Sequence, residues 1–90
     1  MAVEEAAVEV KNAMGIHIRP AGMIAKTAIS FRSKISILRG KDVVNARSIV
    51  ALTTMAANLG ARLTVRAEGA DAEAAVRAIA ALFEGKFGEE

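Results

Sequence analysis

Residues Arg62-Leu63-Thr64-Val65-Arg66-Ala67-Glu68 alternate polar and apolar side chains without a break. A period of two predicts a strand with one face on a core and the other in water. Such a strand needs a covering layer on one side only, so segments with helical period must supply it. Two do. From Ala21, apolar residues recur at Ile24, Ala25, Ala28 and Phe31, the spacing of a single helical face; Gly22 weakens that helix by about 1 kcal/mol relative to alanine without erasing the pattern. After Asp71, a natural helix cap, the inward stripe is Val76, Ile79, Ala80 and Phe83. One-sided strands with one-sided helices predict an α+β fold, an open-faced sandwich with helices over one face of an antiparallel sheet.

The remaining segments fill in that scheme. Ala6-Ala7-Val8-Glu9-Val10 reads as a strand with Val8 and Val10 inward, and Asn12-Ala13-Met14-Gly15 as a loop. Ile35 and Ile37 flank Ser36 in a second strand, which Arg39-Gly40-Lys41-Asp42 turns into a short third strand at Val43-Val44. Ser48 caps a helix whose expected inner face is Ile49, Leu52, Ala56 and Leu59, with Gly60 as its stop. Gly85 to Glu90 reads as a short tail. The order is therefore β-α-β-β-α-β-α. Strand order stays open at this point, since a ferredoxin-like βαββαβ core with one added helix fits the same string.

Length and composition narrow the function classes. Ninety residues, 1–90, are expected to form one domain. A chain this short buries only about 60–65% of its unfolded surface, so packing must be close. The 20 alanines allow helices to approach a sheet closely. With no cysteine there is no disulfide, thiolate metal site or thiol catalysis, and one histidine makes no metal cluster. No cofactor or metal is expected. No apolar run approaches the ~20 residues of a membrane span. The start of the chain lacks a basic segment leading into an apolar one, so a cytoplasmic protein is expected.

A net charge of +2 hides an uneven distribution. Residues 11–66 hold ten Lys and Arg against the single acid Asp42, while 1–10 and 67–90 are net acidic. A basic middle predicts an anionic partner, or else a plain solvated basic surface. A nucleic acid is the poorer choice, because three phenylalanines with no tyrosine or tryptophan leave little for bases to stack on.

Chemistry is concentrated in Gly15-Ile16-His17-Ile18-Arg19-Pro20-Ala21, at a loop-to-helix junction. With His17 at the N-cap, the amides of Ile18 and Arg19 have no intrahelical partner and face out of the helix end. That end carries about half a positive charge and suits an anion. Arg19 adds a full charge with fork-like donors. Pro20 fits the first turn, where its missing N–H costs nothing, although it biases Arg19 away from helical backbone and predicts local tension there. Imidazole is largely neutral and nucleophilic near pH 7. Together these are the parts of a phosphohistidine site: His17 as acceptor, with Ile18 and Arg19 binding the phosphoryl oxygens.

The same seven residues resemble the GLHARPA signature of HPr, the histidine phosphocarrier family of the bacterial phosphotransferase system. Asn12 ahead of them, Gly40, Val44-Asn45 leading into Ser48-Ile49, Ala56-Ala57, Gly60, Gly69-Ala70-Asp71 and Lys86-Phe87-Gly88-Glu89 are similar to proteobacterial-type members. The resemblance implies sheet order 1-4-2-3. It implies a carrier, not an enzyme, that takes phosphate from enzyme I on His17, on Nδ1, and passes it to an enzyme IIA, with Arg19 neutralising the group. Ile18, Ile49 and Val50 would supply the apolar part of docking, and Ser48 would be a regulatory site for HPr kinase/phosphorylase. A monomer without nucleic-acid or membrane partners is expected. Ile18 stands where a small residue is usual, and Val50-Ala51 where Met-Gly is common, which bears on partner choice. The alternative is a purely regulatory relative that binds partners without serving sugar transport.

Overall fold

The computed structural model describes residues 2–89. Its elements are β1 (Val3–Glu9), α1 (Ile18–Ile29), β2 (Lys34–Arg39), β3 (Asp42–Asn45), α2 (Ile49–Thr54), β4 (Arg62–Glu68) and α3 (Ala72–Glu84), followed by a 3₁₀ turn over Lys86–Gly88. The four strands form one antiparallel sheet in the order β1-β4-β2-β3. This is the open-faced sandwich that the alternating and helical periods predict, and it excludes the ferredoxin-like alternative.

Period-two patterning sets the sheet's two faces. Val8, Ile35, Ile37, Leu63, Val65 and Ala67 are buried beneath the helices, while Glu5, Arg66 and Glu68 meet on the open side. Register places Ala6 opposite Val65 and Ile37 opposite Val65 on the other side, so β4 is the central spine of the core. Ala21, Ala25 and Ala28 of α1 and Ala72 and Ala75 of α3 are buried, which is how short side chains bring the helix axes close to the sheet.

Three expectations need correction. The helix after Ser48 ends at Thr54, well before Gly60, and Ala56 takes a left-handed φ of 54°. Leu52 and Met55 are buried there, whereas Ile49, Ala56 and Leu59 are exposed. The chain leaves the helix to carry Ala57 beneath the loop ahead of α1, where its carbonyl accepts the amide of Ile16 at 2.9 Å. Second, Asp71 stands at the N-cap of α3 but makes no cap bond; its carboxylate accepts from the amides of Arg32 and Ser33, each at 2.9 Å, and from the Ser33 hydroxyl. Those bonds, the hydroxyl's first, hold the Asp71 pKa below its ordinary value. Third, the segment after α3 is no loose tail. Phe87 is 1% exposed and packs edge-on against Phe83 with ring centroids 5.0 Å apart.

Candidate functional site

The loop that presents His17 is fixed from below. Val10 and Gly60 are joined to Ala61 and Val10 by backbone bonds of 2.9 and 2.8 Å, and Ile16 inserts into the core. Gly15 adopts φ +69°, and any Cβ there would collide with the Ala57 carbonyl, so only glycine permits this close crossing. Asn12, fully buried, donates from Nδ2 to the Gly15 carbonyl at 2.7 Å and locks the turn. The same carbonyl accepts the His17 amide at 3.0 Å.

His17 is therefore delivered to the N-cap of α1, as expected, with extended backbone and no side-chain cap bond. The first intrahelical bond runs from Ala21 to the His17 carbonyl at 3.0 Å. Pro20 has no N–H to offer, and among the described residues the amides of Ile18 and Arg19 have no hydrogen-bond partner. Both face the helix end beside an imidazole that keeps 29% of its side-chain surface exposed. The backbone tension expected at Arg19 is not where the unusual dihedrals fall: the non-glycine residues with positive φ are Ala56, Lys86 and Phe87.

Arg19 folds back over the helix end. Its Nη1 donates to the Phe87 carbonyl at 2.8 Å and to Glu89 at 2.7 Å. The Glu89 carboxylate gathers the whole site: Oε2 also bonds His17 Nε2 at 2.7 Å, and Oε1 accepts from Asn12 Nδ2 at 3.0 Å. Burial pushes the Glu89 pKa up, but the bonds from Asn12, His17 and Arg19, with the attraction of His17, outweigh it and hold the group below its ordinary value. An ionised carboxylate only accepts, so His17 Nε2 is the donor in this pair.

Asn12, Phe87 and Glu89 were absent from the residues singled out for the site. Asn12 carried a signal, since an asparagine three residues before a glycine suits a side-chain-closed turn. Glu89 carried one only through the resemblance of Lys86-Phe87-Gly88-Glu89 to family members, since nothing local ties an acid there to His17.

Residues 4–85 match the family described as the PTS HPr component phosphorylation site. The chain belongs to the HPr family. Phosphocarrier protein HPr of Treponema pallidum is 46% identical over 83 residues, covering 92% of this chain and 94% of that protein. Phosphocarrier protein NPr of Shewanella violacea is 35% identical over 85 residues, covering 94% and 93%. Among solved structures, HPr-C-His from Thermoanaerobacter tengcongensis is similar with a TM-score of 0.91 at 39% identity, over 97% of this chain and 98% of that one. The relatives named here as HPr and NPr are phosphocarrier proteins. The family match stops at residue 85, ahead of Phe87 and Glu89.

The second position singled out on the sequence lies at α2. Ser48 is its N-cap, and Oγ accepts the Ala51 amide at 3.1 Å. Around it the surface is apolar: Val50 is 75% exposed, Ile49 is exposed, and Ile18 of α1, 72% exposed, stands outside the core. A shallow groove lined by Val43, Val44, Ser48, Val50, Ala51 and Met55 separates β3 from α2.

Proposed function

We propose that this HPr-family protein is a phosphocarrier of the phosphoenolpyruvate-dependent phosphotransferase system, accepting phosphate from enzyme I on His17 and passing it to an enzyme IIA. The observation that carries the reading is the partly exposed imidazole at the start of α1, beside two amides with no partner among the described residues and the Arg19 guanidinium. Donors fixed before the reaction stabilise the phosphoryl oxygens as they arrive, without reorganisation. Arg19 neutralises the group, and the amides of Ile18 and Arg19 bind its oxygens at the positive end of the helix.

One histidine and one arginine at an open helix end fit a co-substrate of larger enzymes, working as a cytoplasmic monomer formed by residues 1–90. No helix among the described residues is long and apolar enough to cross a membrane. Ile18, Ile49 and Val50 supply the apolar part of a docking face, with the basic middle of the chain around it. Phosphorylation of Ser48 by HPr kinase/phosphorylase would place about two negative charges on that face and weaken docking to acidic partners, while the end of α2 tolerates them.

Incubation with enzyme I and phosphoenolpyruvate is expected to add one acid-labile phosphate per chain. His17→Ala abolishes the label while the circular dichroism spectrum stays that of the wild type. Labelling that survives this substitution would overturn the assignment.

A further inference from the structure

We propose that the free edge of β3 is a docking site for an extended acidic segment of a partner protein, which adds to the sheet as a fifth strand alongside α2. The proposal stands apart from the phosphoryl chemistry at His17 and does not depend on it.

The sheet order leaves two strands with one side unpaired, β1 and β3. Register fixes which backbone groups β3 turns outward. Ala46 donates to the Ile35 carbonyl at 3.0 Å, and bonded pairs alternate along an antiparallel ladder. Val44 with Ile37 and Asp42 with Arg39 therefore spend their backbone groups on β2, while Val43 and Asn45 turn theirs away from the sheet. Asn45 gives its carbonyl to the Ser48 amide at 3.0 Å, and its side-chain oxygen accepts the Arg47 amide at 2.9 Å. That leaves the N–H and C=O of Val43 and the N–H of Asn45 without a partner among the described residues.

The surroundings of the two edge strands differ. β1 carries Glu4, Glu5 and Glu9, charges that discourage pairing at its edge. The groove at its end is lined by Glu9, Lys11, Arg62 and Glu84 and already holds the Lys11–Glu84 ion pair at 2.9 Å. Beside β3 the groove is apolar, about 460 Å³, with Val43 and Val44 on the strand side and Val50, Ala51 and Met55 on α2. Val43 is 61% exposed there. Strand geometry sets what fits. A residue opposite Val43 exchanges both backbone bonds with it, and the residues on either side of that one turn their side chains toward Val44 and α2, where aliphatic groups match the lining. The charge of the segment follows from Arg39, Lys41 and Arg47 around this edge against the single acid Asp42, an excess that favours an acidic partner.

The test titrates a capped octapeptide, valine alternating with aspartate, into the ¹⁵N-labelled full chain. Binding with Kd below about 1 mM is expected, with the amides of Val43 and Asn45 shifting most and exchanging more slowly with solvent. Two variants damage the site in different ways. Val43→Pro deletes the outward N–H, which no bond inside the sheet uses, and edge strands accept proline. Ala51→Glu puts an acid into the groove, and an acid three residues after Ser48 completes a capping box that supports the fold. Each is expected to weaken the peptide about tenfold, through one lost hydrogen bond or one like charge, and phosphate labelling of His17 stays at the wild-type level in Val43→Pro. Should Val43→Pro unfold, Ala51→Glu decides together with a peptide N-methylated on its edge-facing amides, which is expected to lose binding. No binding with about 1 mM peptide, binding that leaves the Val43 and Asn45 amides unmoved, or binding that survives Ala51→Glu and N-methylation would overturn the proposal. So would protection of those amides in the chain alone, growing with its concentration as diffusion slows, because the edge would then belong to a second copy.

Discussion

His17 and Ser48 occupy the same position, the N-cap, of two helices that pack on each other, and both have extended backbone there. Ser48 spends its hydroxyl on the Ala51 amide at the third helical position of α2. His17 spends nothing on α1. At the corresponding third position α1 has Pro20, which has no N–H, so the donor that a capping side chain most often uses is deleted. The bonds that Ser48 turns inward for stability are left outward at α1 for a ligand. The difference teaches that an anion site at a helix end is made as much by withholding a cap as by adding a charge.

The sharpest way to break that comparison is His17→Ser, which installs the α2 solution on α1. Phosphate labelling by enzyme I is expected to fall to zero. Stability is expected to fall by about 1 kcal/mol, because the ring's bond to Glu89 is lost and Pro20 supplies no amide for a serine to cap in exchange. Thermal unfolding beside the labelling assay reads both. A loss of several kcal/mol would mean that His17 is a structural residue and that the two helix ends are alike.

A smaller effect is expected from Ser48→Ala. Losing the cap should cost about 1 kcal/mol, read by urea denaturation, with labelling of His17 unchanged. If labelling fell in proportion to stability, the end of α2 would be part of the transfer machinery, and the contrast with α1 would dissolve.

The sequence made both of these ends legible, each for its own local reason. The cap at Ser48 was readable because a hydroxyl before an apolar run has one common use. At α1, the order His17, Ile18, Arg19, Pro20 placed an imidazole, a charge and a missing donor within one turn, and that local order needed no tertiary knowledge. Alternation in Arg62–Glu68 likewise located β4 to the residue. What was not legible depended on contacts distant along the chain. Residues 55–60 keep a helical pattern yet leave the helix, because the Ala57 carbonyl is needed against Ile16. Phe87 and Glu89 read as an ending because nothing local says that a lone phenylalanine between Lys86 and Gly88 will fill a core position. Their signal lies in the partner residues, Phe83 and His17, which precede them by very different distances.

The smallest expected effect separates the two ends by acidity. A serine hydroxyl does not titrate, so the end of α2 should stay as it is from neutral pH into acid. The end of α1 is held partly through Glu89, whose carboxyl is kept below its ordinary value by its bonds to Asn12, His17 and Arg19 despite the burial that opposes them. The sign follows from linkage. A group whose folded pKa is depressed contributes stability that is complete above its unfolded pKa, near 4.5, and that is lost as pH falls from there through the folded value. Above that range the contact is intact at every pH; below it a protonated Glu89 no longer draws in Arg19 and the ring. An acid titration followed by amide and side-chain NMR should therefore move the Asn12 side-chain NH₂ and His17 ring signals below pH 4.5 while the Ala51 amide stays flat. Asp71, also depressed, will titrate in the same range, but its bonds run to Arg32 and Ser33, so its reporters are those two residues. Movement at Ala51 in step with Asn12 would show the two helix ends coupled, and the division between a capped end and an open one would then have to be drawn across the whole helical layer.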